Sequence, residues 1–295
     1  MNPLVRTGLT ALNVVTILFV MFPIVAAAIA SLQSELVLSS DLTAILPAEY
    51  TLDNYRILFG GTDEANRAGT IYANVAYLPD AIRYFDRALL NSLIISSSVT
   101  ALTISFSALS AYTVARLRLR WLLVLLACNV FARFVPLVVL VIPLYVIFRD
   151  IGLTNSLLGI IIAQTGFLLP FGVLILSPYF ADIPRDIEEA ARIDGCSRFG
   201  SFLKITLPLS GPILVSLGTI IFIASWNDLL IPLILSSKQE FMTVPAILVS
   251  LIGDNAVFLG LLCACCLVAL LPTVLMVLML QRYVVSGLTA GAVKA

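Results

Sequence analysis

Six apolar runs, at about residues 9–31, 89–115, 121–148, 154–180, 205–235 and 257–281, decide most of what this chain can fold into. Each is long enough to carry an α-helix through the hydrocarbon core of a bilayer, which takes roughly 20 residues. In lipid every backbone N–H and C=O must be satisfied within the protein, which leaves helices or a closed barrel. Runs of this length without strict alternation predict helices. The composition agrees, with 60% hydrophobic residues, 12% charged residues and a mean hydropathy of +1.07, values far from those of soluble domains. The expectation is an all-α integral membrane protein with six transmembrane helices. The first run, preceded by Arg6 and closed by Ala26 to Ala30, also suits a cleaved signal peptide, but its length favours a retained helix.

The charge balance narrows the function. Lysine and arginine number 17, as do aspartate and glutamate, so no basic field recommends a nucleic-acid partner. Histidine is absent, which removes the commonest general base and metal ligand and weakens any enzymatic reading. No Gly-x-x-x-x-Gly-Lys-Ser/Thr loop occurs, so if ATP drives this protein another chain binds it. Cys128, Cys263, Cys265 and Cys266 lie in apolar runs and Cys196 in a polar stretch, a pattern of helix packing and not of a metal site or disulfide framework.

Orientation follows from where the cations fall. With the N-terminus inside, ten sit on cytoplasmic segments (Arg6, Arg116, Arg118, Arg120, Arg185, Arg192, Arg198, Lys204, Arg282 and Lys294) and six outside, with Arg133 within a run. Both termini are then cytoplasmic. The loop at residues 32–88 lies outside and holds eight acids against four arginines, which predicts a folded external loop without a large core of its own. A second outer loop covers Ser236 to Ala256.

Between runs four and five lies a polar loop, residues 181–204, and the stretch from Pro184 to Pro208 is its distinctive part. Pro184 suits a first turn, Asp186, Glu188 and Glu189 favour the positive end of a helix dipole, and Gly195 supplies a stop. A short helix is expected from about Pro184 to Asp194. Ile187, Ala190, Ala191 and Asp194 fall on one narrow face of small and apolar groups, suited to another protein's groove. Phe199, Phe202 and Leu203 follow on a second amphipathic segment. Glu189-Ala190-Ala191, Gly195, and Ile205-x-Leu207-Pro208 resemble the EAA loop of ABC importer permeases. The resemblance implies a cytoplasmic coupling helix that docks on a separate ATPase through Glu188, Glu189, Ala190, Ala191, Asp194 and Gly195.

Further stretches extend the likeness. Thr51-Leu-Asp-Asn-Tyr55 resembles an outer element of carbohydrate permeases, and Gly287-Leu-Thr-Ala-Gly-Ala-Val-Lys-Ala295 resembles the ending of the maltose-type branch. In the tail, residues 282–295, Gly287 and Gly291 permit an extended course, and with Lys294 they are implied contacts of the ATPase pair. Within the membrane the polar residues are few and expensive. A charge at mid-span costs about 2.5–3.5 kcal/mol on insertion scales, so Arg133 needs a partner, water or an interface. Arg133, Asn129, Gln164 and the Trp226-Asn227-Asp228 cluster are candidates for a translocation pathway, and each also suits packing or anchoring. The serines and threonines from Ser92 to Ser110 suit either close helix packing or a hydrated path.

The likeness identifies the chain as a permease subunit of a carbohydrate ABC importer in the bacterial plasma membrane. It implies a second homologous permease, an ATPase dimer that holds ATP and Mg, an external solute-binding protein, and no cofactor on this chain. The alternative is an ion- or proton-coupled secondary transporter, a design that places several ionisable groups at mid-membrane and often shows internal repeats.

Overall fold

The computed structural model describes residues 3–34, 50–60, 70–72, 78–117, 135–252 and 258–290, with isolated positions between them. Its regular elements are all helical: α1 (Pro3–Ser31), α2 (Asp53–Gly60), α3 (Phe85–Leu117), α4 (Leu137–Asp150), α5 (Leu157–Asp182), α6 (Arg185–Ile193), α7 (Arg198–Leu209), α8 (Gly211–Trp226), α9 (Leu230–Leu235), α10 (Val244–Ser250) and α11 (Leu259–Ala290). Among the described residues four helices, over Val5–Ser31, Asp80–Arg116, Leu157–Asp182 and Leu259–Gln281, are long and apolar enough to cross a bilayer. The pair α7 and α8, bent by 76°, makes a fifth if it counts as one span.

Three of the expected runs differ in the structure. The run at 121–148 is interrupted, since Val135 and Pro136 lie outside helix and α4 starts only at Leu137. Proline has no N–H to donate and pushes the residue before it towards extended backbone. The run at 205–235 is three helices. Pro208 and Pro212 bracket the break at Ser210, whose hydroxyl donates to the Thr206 carbonyl at 2.7 Å, and a second break at Asn227–Leu229 precedes α9. The last run outlasts its expected end at 281: α11 continues to Ala290 and includes Gly287, so that stretch is helical and not extended. A glycine in a helix costs about 1 kcal/mol relative to alanine, less than the hydrogen bonds gained by propagating the flanking turns can offset.

The chain packs as two compact units, residues 1–89 with 246–271, and 90–245 with 272–295. In the first, the Thr51–Tyr55 element packs against the end of α1. Asn54 is fully buried and its amide donates to the carbonyls of Ser31 at 2.8 Å and Gln33 at 3.0 Å, while the Tyr72 hydroxyl donates to its oxygen. Tyr55 and Ser31 share a hydrogen bond of 2.8 Å, and Asp53 accepts from the Ile71 N–H at 3.0 Å. This polar knot caps the end of α1. The helix itself is largely apolar and exposed, Phe19 to 79%, which suits a helix that crosses a bilayer.

In the second unit the core gathers Ile95, Val99, Ala108 and Ala111 of α3 with Ile160, Leu176 and Phe180 of α5 and Leu217 and Ile221 of α8. Several hydroxyls of α3 bond to backbone carbonyls. Ser96, Thr100 and Ser105 donate to carbonyls one turn back, and Ser107 reaches the Leu169 carbonyl of α5 at 3.1 Å. Opposite Ser107 the small size of Gly172 is essential, because a Cβ there would sit 2.2 Å from the serine Oγ and 2.8 Å from its Cβ. Gly172→Ala should therefore destabilise the fold by about 1–3 kcal/mol, the range for overpacking. Thermal unfolding in detergent checks this, with Ser107→Gly expected to restore part of the loss.

Candidate coupling surface and intramembrane polar cluster

The polar loop folds as its residues dictate. α6 runs from Arg185 to Ile193 with Pro184 at its N-cap, and ends in a Schellman arrangement. The Cys196 N–H donates to the Ala191 carbonyl at 3.0 Å and the Gly195 N–H to that of Arg192 at 3.1 Å. Gly195 stands at φ +93°, a conformation that side chains disfavour. After this corner Ser197 caps α7 by accepting from the Gly200 N–H at 3.0 Å. A single π turn, Phe202–Thr206, follows inside α7, and such turns shift the register of the residues beyond them.

Two faces of α6 separate. Glu188 and Ala191 turn inward, whereas Ile187, Glu189, Ala190 and Asp194 are exposed, as is Ile193 to 87%. Ala191 thus leaves the narrow outer face assigned from its spacing, and Glu188 is not available on the surface. Its carboxylate is instead the centre of a buried network. One oxygen, Oε1, accepts from Arg116 Nε at 2.9 Å, Arg116 Nη2 at 2.7 Å and the Thr206 hydroxyl at 2.8 Å. The other accepts from the Tyr112 hydroxyl at 3.1 Å, and the Tyr112 ring packs on Phe202 with centroids 4.8 Å apart. Tyr112, Arg116 and Thr206 were not among the expected site residues. The only sequence signal for them is a tyrosine and an arginine closing a hydroxyl-rich helix, with nothing to say which acid they meet.

Deeper in the same unit a cavity of about 690 Å³ lies among α4, α5, α8 and α9. Its wall is mostly apolar, with Leu140, Leu144, Phe148 and Phe167, and carries one polar notch. There Gln164 donates to Asp228 at 2.8 Å and accepts from the Ser225 hydroxyl, while Asp228 also accepts from the Leu230 N–H at 3.2 Å and so starts α9. The expected trio of Trp226, Asn227 and Asp228 does not assemble. Trp226 is buried against Phe222, ring planes 13° apart and centroids 5.9 Å, and the Asn227 amide donates back to the Ile223 carbonyl at 2.9 Å. α8 ends at Trp226, and Asn227 and Asp228 lie in the break before α9, so the three side chains leave the backbone at a helix end and a turn and adjacency in sequence does not gather them. Asn129, Arg133, Gly291 and Lys294 lie outside the described residues.

Residues 103–289 match the family described as binding-protein-dependent transport system inner membrane component. The chain belongs to that family. The matched segment takes in α6, the Glu188 network and the Gln164–Asp228 notch. Relatives of the inner membrane component include the sulfoquinovosyl glycerol transport system permease protein SmoH of Agrobacterium fabrum, 36% identical over 70% of this chain and 72% of the relative. The trehalose transport system permease protein SugB of Mycobacterium tuberculosis is 33% identical over 85% of this chain and 84% of its own. The arabinooligosaccharides transport system permease protein AraQ of Bacillus subtilis is 31% identical over 98% and 96%. Among solved structures, a chain of a bacterial ABC transporter involved in alginate import superposes with a TM-score of 0.77 at 20% identity, covering 96% of this chain and 97% of that one, which establishes a shared fold. Membership makes this a transport component and not an enzyme, and disfavours the secondary-transporter alternative.

Proposed function

We propose that this chain is the membrane-spanning permease subunit of an ATP-driven importer for a sugar or sugar derivative, over one transmembrane domain of six spans with cytoplasmic termini. The observation that carries the reading is α6: a short helix with an exposed acidic and small-residue rim, held to α3 and α7 through the hydrogen bonds of Glu188, in a chain of this family. Its partner is a separate ATPase dimer holding ATP and Mg, which grips α6 in a cleft, while a second homologous permease presents a like helix. The docking rim comprises Glu189, Ala190 and Asp194, with Gly195 setting the corner and Gly287, Gly291 and Lys294 following at the tail. Closure of the ATPase dimer moves the two feet and switches access between the two sides of the membrane.

The relatives' names supply the substrate class, since trehalose, arabinooligosaccharides and sulfoquinovosyl glycerol are all saccharides or glycosides. Chemistry agrees with this choice. An apolar wall with a carboxylate, an amide and a hydroxyl in one notch suits a sugar, which offers C–H faces to one and hydroxyls to the other. The test is reconstitution of the permease pair with its ATPase and external binding protein in proteoliposomes. Uptake of a radiolabelled saccharide, chosen by calorimetry on the binding protein, should require both ATP and that protein. Uptake driven by an ion gradient without ATP would refute the proposal.

A further inference from the structure

We infer that Glu188 and Arg116 form an internal tie that makes the foot and the membrane helices move together, so that Glu188 is a positioning residue and not a contact of the ATPase. The inference rests on the coupling reading above and assigns one residue pair a role within it.

Glu188 is 8% exposed, and both side chains of the pair are 10% exposed. Its carboxylate takes four hydrogen bonds, from three donor residues on two different helices, α3 and α7. Arg116 also donates from Nη2 to the Ile183 carbonyl at 3.1 Å, where α5 leaves the bundle. One buried acid therefore joins α6 to the end of α3 and to the π turn of α7, and through Arg116 to the exit of α5. Buried ion pairs contribute little net stability compared with apolar packing of the same volume, so their best-attested use is to fix one arrangement among several. The guanidinium fork suits this task, since it engages carboxylate and carbonyl at once in a fixed plane, which a lysine ammonium does not reproduce. The site disfavours a docking role: enclosed by Tyr112, Arg116 and Thr206, the acid is 8% exposed and both its oxygens already accept from groups of its own chain.

A reducible cross-link distinguishes a tie from a merely structural ion pair. In a parent chain whose five cysteines are replaced, Arg116→Cys with Glu188→Cys is assembled with the ATPase and binding protein, and the saccharide imported per ATP hydrolysed is measured. The open double variant should lose about tenfold in that ratio, within the usual range of coupling free energies. Bridging the two thiols with a short bis-methanethiosulfonate should return it close to the parent's value, and reductant should abolish the gain. Glu188→Gln, nearly isosteric, should assemble and show a similar fall. Parent-level coupling in Glu188→Gln or in the open double variant would overturn the tie, as would failure of the bridge to rescue. A parent complex without ATP-driven uptake would instead sink the coupling reading itself.

Discussion

Glu189→Lys is expected to reduce ATP-driven uptake at least about thirtyfold while the chain still inserts and folds. The expectation comes from contrast with its neighbour. Glu188 is buried in its own protein, whereas Glu189 is exposed and forms no ion pair among the described residues. Reversing an exposed, unpaired charge shifts stability by only about 0.5 kcal/mol or less. The new lysine would also lie one turn from Arg185 and Arg192, adding a small like-charge repulsion within α6. In a cleft the balance is different. Removing one partner of a buried, hydrogen-bonded charge pair at an interface costs about 2–5 kcal/mol, equivalent to roughly thirtyfold to several thousandfold in affinity. Co-purification of the ATPase and uptake in proteoliposomes should fall together, with Glu189→Gln intermediate. Full uptake by Glu189→Lys would show that this rim touches nothing.

The second large effect belongs to Gly195. At φ +93° it adopts a conformation from which a side chain is repelled by its own backbone, although no other atom lies within 4 Å of the place its Cβ would occupy. Substitution there tests the backbone alone. Gly195→Ala should cost about 1–2 kcal/mol. Gly195→Pro should cost about 3 kcal/mol or more, because proline fixes φ near −65° and removes the N–H that donates to Arg192. The loss would be local, at the corner between α6 and α7. Membrane insertion should therefore persist while uptake falls in the order Gly, Asn, Ala, Pro, asparagine being the residue that best tolerates this region after glycine. Limited proteolysis of the loop should follow the same order. Equal uptake by Gly195→Pro would show that the corner need not be stiff.

Local rules made much of this legible in the chain. The limits of α6 and its glycine stop follow from capping chemistry, and the structure places them within a residue or two of expectation. The long helices follow from hydropathy. What remained hidden depends on distant partners. Periodicity separates two faces of α6 but does not say which looks home, and the face that buries Ala191 was set by Tyr112 and Arg116 more than 70 residues earlier. Gln164 and Asp228 each stood out as polar residues in apolar runs, yet their hydrogen bond joins positions 64 apart. The breaks at Pro136 and Ser210 carried a proline signal that averaging hydropathy over a run suppresses. Trp226 packs on Phe222 and not with Asn227 and Asp228, because neighbours in sequence at a helix end need not be neighbours in space.

The central claim is that α6 reaches a nucleotide-hydrolysing partner on the cytoplasmic side. Ile193, at the exposed tip of α6, offers the place to test it. With Ile193→Cys as the sole cysteine in the permease and single cysteines introduced around the cleft of the ATPase, oxidation of membranes should give a permease–ATPase cross-link whose yield changes when ATP is added. A membrane-impermeant thiol reagent added to intact cells should leave that cysteine unlabelled. Labelling from outside, together with no cross-link at any cleft position, would contradict the account.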